Sequence, residues 1–128
     1  MHLSEAYKLM GGEIALRRLV DCFYDLMDED PDYFGIRKLH PEELNSSRDK
    51  LFMFLSGWTG GPSLYIEKYG EPRLRSRHLP FSIGIAERDQ WLSCMNRAME
   101  KIGLEMQLRK SMALAFEQTA DFMRNQPE

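Results

Sequence analysis

Apolar residues in this chain recur at helical intervals, and almost nowhere at the two-residue interval of a half-buried strand. Between Glu13 and Met27, the residues Leu16, Val20, Phe23 and Met27 follow one another at steps of 4, 3 and 4, so they share one face of a helix. Gly11-Gly12 precedes that run and Asp28-Glu29-Asp30-Pro31 closes it. A short segment follows from Asp32 to Leu39. A second helix is expected to open with Pro41, Glu42 and Glu43, since proline lacks the N–H that a first turn leaves unpaired and carboxylates suit the positive end of the helix dipole. It carries Leu44, Ser47, Leu51, Phe54 or Leu55, and Trp58, and stops at Gly60-Gly61-Pro62. Leu64-Tyr65-Ile66 admits a short strand, but no second alternating run exists to pair with it, so Ser63 to Phe81 reads as short helical turns and loops. Trp91, Cys94 or Met95, Ala98 and Ile102 line a further helix that Gly103 ends. Leu108, Met112, Ala115, Thr119 and Phe122 line the last at steps of 4, 3, 4 and 3. The expectation is one all-α domain, residues 1–128, of about five or six helices.

Charge and cysteine content narrow the function classes. The 17 basic and 20 acidic residues leave a formal charge of −3, which supplies no footprint for a phosphate backbone and argues against nucleic acid as the main partner. Apolar runs are far shorter than a bilayer span. The first residues, Met1-His2-Leu3-Ser4-Glu5, have neither the basic flank nor the apolar stretch of a signal peptide. Cys22 and Cys94 form no C-x-x-C pair and are too few for a disulfide framework. A cytoplasmic domain with free thiols is expected. The two cysteines read as small core residues, with a regulatory disulfide as the alternative. The nine methionines read as core filler.

Three histidines limit any metal chemistry. His2 lies in the N-terminal segment, His40 precedes Pro41, and His78 sits in Pro72-Arg73-Leu74-Arg75-Ser76-Arg77-His78-Leu79-Pro80-Phe81. No two histidines share a helical turn and no carboxylate–histidine spacing suggests zinc. A metal centre would therefore need only one protein ligand, and haem iron meets that condition because the porphyrin provides four nitrogens. Arg73, Arg75 and Arg77 put three guanidinium groups within the six residues that end at His78, in an otherwise acidic chain, and guanidinium groups suit the two propionates of a haem edge. A solvated loop histidine among arginines is the plain alternative. Phe23-Tyr24 lies on the inward face of its helix, and Trp91 opens the inner face of another. Buried phenol and indole groups need partners, which are either backbone carbonyls or, acting together, an anionic ligand.

Several strings together resemble the group II truncated haemoglobins. They are Phe23-Tyr24; Leu51-x-x-Phe54-Leu55 leading into Gly60-Gly61-Pro62; Arg73-Leu74-Arg75-x-Arg77-His78-x-Pro80-Phe81; and Glu87-Arg88-Asp89-x-Trp91-Leu92-x-Cys94-Met95. The likeness runs from about Gly11 to the last helix, and Gly11-Gly12 and Gly60-Gly61 match the glycine pairs of that family. The resemblance implies a truncated globin fold, a two-over-two helical sandwich around haem b (iron protoporphyrin IX). It implies His78 as the proximal iron ligand, its second ring nitrogen donating to a carbonyl. Tyr24 and Trp91 match the family's distal hydrogen-bonding residues, with His40 at a position that varies among Tyr, Phe and His. Between His40 and Leu44 the chain is one residue shorter than some members. Ser47 matches the distal gate and Leu51 an apolar position facing the ligand. Lys50 and Arg77 match propionate partners, with Tyr65 a further candidate; Phe54, Phe81 and Met95 match residues packed on the porphyrin.

What the resemblance implies functionally is a haem protein with an open sixth iron position for dioxygen, carbon monoxide, nitric oxide or peroxide. Oxygen binding or transport, oxidation of nitric oxide, and peroxidase-like chemistry served by an external reductase or reductant are the activities suggested. Two other classes stand beside it: a six-coordinate haem sensor or electron-transfer protein in which His40 closes the sixth position, and a cofactor-free helical interaction module.

Overall fold

The computed structural model describes residues 2–127, and among them every regular element is helical. In chain order these are α1 (Ala6–Met10), α2 (Gly12–Glu29), α3 (Phe34–Arg37), α4 (Asn45–Trp58), α5 (Leu64–Tyr69), α6 (Leu74–His78), α7 (Ile85–Lys101) and α8 (Met106–Phe122), with 3-10 turns at Leu3–Glu5 and Pro31–Tyr33. Eight helices stand where five or six are expected from the pattern. Four of them (α1, α3, α5 and α6) have four to six residues, less than two turns, and so show no hydrophobic period. The Leu64-Tyr65-Ile66 run is helical, at the start of α5.

Two helix pairs make the sandwich. α2 packs on α4, α7 packs on α8, and α2 lies against α7. The four apolar residues that mark α2 in the sequence are all buried, together with Leu19, Tyr24 and Leu26. They meet Phe52 and Leu55 of α4, Cys94, Met95, Ala98 and Met99 of α7, and Leu108, Met112 and Phe116 of α8 in one continuous core. No described helix is long and apolar enough to cross a membrane.

The start of α4 departs from expectation. It begins at Asn45, after Leu44, rather than at Pro41. The Arg37 guanidinium explains the delay, because it donates to the carbonyls of Pro41 (2.9 Å) and Glu42 (2.7 Å) while pairing with Asp28 (2.8 Å). Those carbonyls would otherwise accept the first helical bonds. The consequence is a non-helical segment that carries His40 between α3 and α4.

Two glycines are required by geometry. Gly11 ends α1 at φ +116° and opens α2 directly behind it. At Gly60 (φ +95°) a Cβ would stand 1.8 Å from the Ser4 carbonyl oxygen. A side chain there would collide with the N-terminal segment, which Tyr7 N–H also ties to the Thr59 carbonyl (2.9 Å).

Candidate functional site

The side chains singled out from the sequence fall on α2, α4, α5, α6, α7 and the two loops beside them. Tyr24 on α2 is 5% exposed and lies in an aromatic series. The Phe23 ring meets Tyr24 edge-on at 5.0 Å and Trp91 at 5.2 Å, and Tyr24 in turn meets the His40 ring edge-on at 5.7 Å. Thus Tyr24 and Trp91 are brought together on Phe23 and His40 joins the series through Tyr24, so the three polar candidates come from three separate elements. Among the described residues neither the Tyr24 hydroxyl nor the Trp91 indole N–H takes part in a hydrogen bond, so both remain available as donors. Burial pushes the Tyr24 pKa well above the ordinary phenol range despite the opposing charge of Arg48, and the hydroxyl keeps its proton at every physiological pH.

His40 is held by its own backbone. Its Nδ1–H donates to the Ile36 carbonyl at 2.8 Å. A carbonyl can only accept, so in the neutral ring Nε2 carries a lone pair and acts as an acceptor. Burial lowers the His40 pKa, the bond to Ile36 opposes this, and the nearby charges of Arg37 and His78 lower it further.

The His78 ring obeys the same rule. Its Nδ1–H donates to the Leu74 carbonyl, one turn back in α6, at 2.6 Å. That bond selects the tautomer with a bare Nε2, the donor that a metal takes from a neutral imidazole. Around it the surface is unusually apolar: Leu79 is 56% and Phe81 40% exposed, and a covering group would remove both from water. Phe54 stacks near Trp58 and meets Tyr65 edge-on, each at 6.3 Å. It helps line an apolar cleft of about 440 Å³ with Trp58, Pro72, Leu74, Gln118, Thr119 and Phe122. Leu51 is half-buried and Met95 fully buried.

The α4 stripe divides into two faces. Phe52 and Leu55 enter the core, whereas Leu51, Phe54 and Trp58 stay half-buried and Phe54 and Trp58 turn to the cleft. Phe122 behaves likewise: periodicity places it on the inner face of α8, yet it is 62% exposed at the cleft rim.

Cations stand at the outer edge. Lys50 Nζ lies 6.0 Å from the Tyr69 ring and the Arg77 guanidinium 5.8 Å from the Tyr65 ring. Arg77 uses Nε to bond the Pro72 carbonyl (2.8 Å), which leaves its terminal nitrogens for an anion. The arginine triplet does not act together, however. Arg75 turns away and donates to the Phe122 (2.9 Å) and Arg124 (2.8 Å) carbonyls. Sequence reasoning missed Arg48 too. It donates to the Asp21 carbonyl (3.1 Å) and pairs with Asp25 (2.7 Å), 5.8 Å from the Tyr24 ring. Neither role leaves a local signal.

Haem suits these residues on the chemistry of the donor set. The His78 imidazole, like that of His40, has a bare, oriented nitrogen, but it alone stands beside uncovered apolar side chains; two free donors lie deeper in, and cations stand at the edge.

Comparison with known proteins agrees. A family model described as bacterial-like globin matches residues 5–125. The chain is 41% identical over 122 residues to group 2 truncated hemoglobin YjbI of Bacillus subtilis (strain 168), covering 95% of this chain and 89% of that protein. A group II 2-on-2 hemoglobin from the plant pathogen Agrobacterium tumefaciens superposes with a TM-score of 0.92 at 41% identity, covering 94% of each chain. A truncated oxygen-avid haemoglobin from Bacillus subtilis superposes with a TM-score of 0.87 at 40% identity, covering 94% of this chain and 98% of that one. These proteins share the two-over-two arrangement built here from α2, α4, α7 and α8, and membership implies a haem cofactor and the binding of small diatomic ligands such as oxygen. The chain belongs to the bacterial-like globin family, as a group II truncated haemoglobin.

Proposed function

We propose that residues 1–128 form a single cytoplasmic domain that binds haem b and retains dioxygen at an open axial position. The observation that carries this reading is the bond from His78 Nδ1–H to the Leu74 carbonyl, which leaves Nε2 bare and oriented beside the uncovered side chains of Leu79 and Phe81. Ferrous haem, when bound, supplies an axial position at which dioxygen, carbon monoxide or nitric oxide coordinates.

The side chains divide the remaining work. His78 holds the iron. Lys50 and Arg77 neutralise the propionate edge and Tyr65 helps orient it; Leu51, Phe54 and Phe81 pack on the ring and exclude water, while Met95, fully buried without the ring, supports it from the core. Tyr24 and Trp91 donate to the negative end of the captured gas. His40, with Nε2 as an acceptor, orients the Tyr24 hydroxyl from its edge-on position. A charge-assisted hydrogen bond is worth roughly 1.5–3 kcal/mol, so two of them slow release by about 10²–10⁴. Retention on that scale favours redox chemistry over transport, and a related haemoglobin from Bacillus subtilis is described as oxygen-avid. Oxidation of nitric oxide to nitrate and reduction of peroxide are the reactions we assign, each requiring an external reductase or reductant.

Stopped-flow measurement of dioxygen release tests the donors: Tyr24→Phe and Trp91→Phe should each speed release by about tenfold or more, and unchanged rates in both would refute their role. Absorption spectra of the reduced protein with and without carbon monoxide test the open position.

The bare Nε2 of His40 favours a second reading, in which that nitrogen is the sixth ligand of a haem sensor or electron carrier. A low-spin ferric spectrum without added ligand, lost in His40→Phe, would select it.

A further inference from the structure

We propose that the C-terminal segment is a latch that sets the position of His78, with Asn125 as its positioning residue and Arg75 as a second strut. The proposal rests on the reading of His78 as the axial ligand.

α6 has five residues and none of them is buried. A helix of that length has no stability of its own, and Arg73 enters it in the left-handed region (φ 46°) that residues with side chains rarely adopt. What fixes it in place comes from residues far away in the chain. Asn125 Nδ2 donates to the Phe81 carbonyl (2.7 Å) and the His78 carbonyl (3.3 Å), while its Oδ1 accepts from Ile83 N–H (2.9 Å). The backbone N–H groups of Asn125 and Gln126 both donate to the Ile83 carbonyl (2.9 and 3.1 Å). From the other side Arg75, within α6 itself, donates to the carbonyls of Phe122 and Arg124.

The tail is in turn anchored to the long helices. Arg124 pairs with Asp121 (3.1 Å), and the same carboxylate holds Arg88 of α7 (2.8 Å). One end of the latch is thus fixed to α7 and α8, and the other grips the segment from Arg75 to Ile83. The His78 ring is bonded to α6 through Leu74, so the direction of Nε2 follows the placement of α6. Loosening the latch lets the imidazole tilt and rotate without disturbing the core.

Asn125→Asp tests this in the haem-loaded protein, because it keeps the acceptor for Ile83 N–H and removes both donated bonds. The expected result is a shifted iron–histidine stretching band in the resonance Raman spectrum of the ferrous form. Haem transfer to an excess of apomyoglobin should also quicken about tenfold, with the helical circular dichroism and urea midpoint unchanged. Arg75→Met should shift the same band, and Arg75→Lys, which keeps one donated bond, should restore part of it. If the stretching band and haem-loss rate stay at wild-type values in both Asn125→Asp and Arg75→Met, the latch is refuted. Failure of the underlying reading looks different: His78→Gly would then retain the same axial coordination by resonance Raman, whatever the Asn125 variants do.

Discussion

Phe23 is the side chain on which both the core and the proposed donors Tyr24 and Trp91 lean, and truncating it should reveal both roles. It is 0% exposed and touches the Tyr24 and Trp91 rings at 5.0 and 5.2 Å, and Cys94 Sγ–H donates to its carbonyl (3.2 Å). Phe→Ala at a fully buried position costs about 3–5 kcal/mol through lost transfer energy and a residual cavity. We take about 4 kcal/mol, since two aromatic edges lose their partner here. With an unfolding entropy of about 2.1 cal/mol/K per residue, a chain of this length loses roughly 15 °C in Tm. Phe23→Leu keeps most of the volume and should lose only about 4–6 °C. Thermal unfolding followed by circular dichroism, at fixed haem excess because ligand binding itself raises Tm, measures both. The same variants should release dioxygen faster, as Tyr24 and Trp91 lose the ring that separates and aligns them. A fall below about 5 °C for Phe23→Ala, with unaltered release, would refute the claim that this ring supports either structure or site.

Two titrating groups give further tests. His40 has a folded pKa below its ordinary value, so the unfolded chain binds more protons between the two values. The stability it contributes is complete above about pH 6.5 and declines as pH falls through the folded pKa. Urea midpoints of wild type minus His40→Phe, taken from about pH 7.5 to about pH 5, should show this slope, and a flat difference would contradict it. For the thiols, burial pushes Cys94 up to about 12, leaving roughly one thiolate in 10⁵ at pH 7. Cys22 is also raised by burial, to a lesser degree of enclosure. Alkylation of the native protein should therefore label Cys22 first and slowly, and Cys94 only on unfolding, as mass mapping would show.

The long helices were legible because burial on one side of a regular helix writes itself into spacing. α2 is the clearest case, with every periodic residue in the core. On α4 the periodic line of Leu44, Leu51, Phe54 or Leu55, and Trp58 is split by burial: Leu44 and Leu55 fill the interior with Phe52, while Leu51, Phe54 and Trp58 stay half-buried, the last two facing the cleft. Spacing records that a face avoids water and does not record what covers it. Phe122 at the cleft rim is a second instance. The site residues were read through family strings, and the series that joins Trp91, Phe23, Tyr24 and His40 depends on three elements that no local pattern connects.

Charged side chains that bond backbone carbonyls at long range were illegible for a different reason. Arg37 delays α4 by taking two carbonyls, yet any arginine four or five residues before them would look the same in sequence. Arg75 reads as one of three propionate partners and instead spans 47 and 49 positions to the C-terminal carbonyls. Asn125, in a polar tail, carries no periodicity and no motif, although its amide matches one donor and two acceptors of the segment carrying His78. A short helix without a buried face must borrow its position from elsewhere. In this fold the lender is the segment that follows α8, and on the proposed reading of His78 as the iron ligand that segment shares in aiming it.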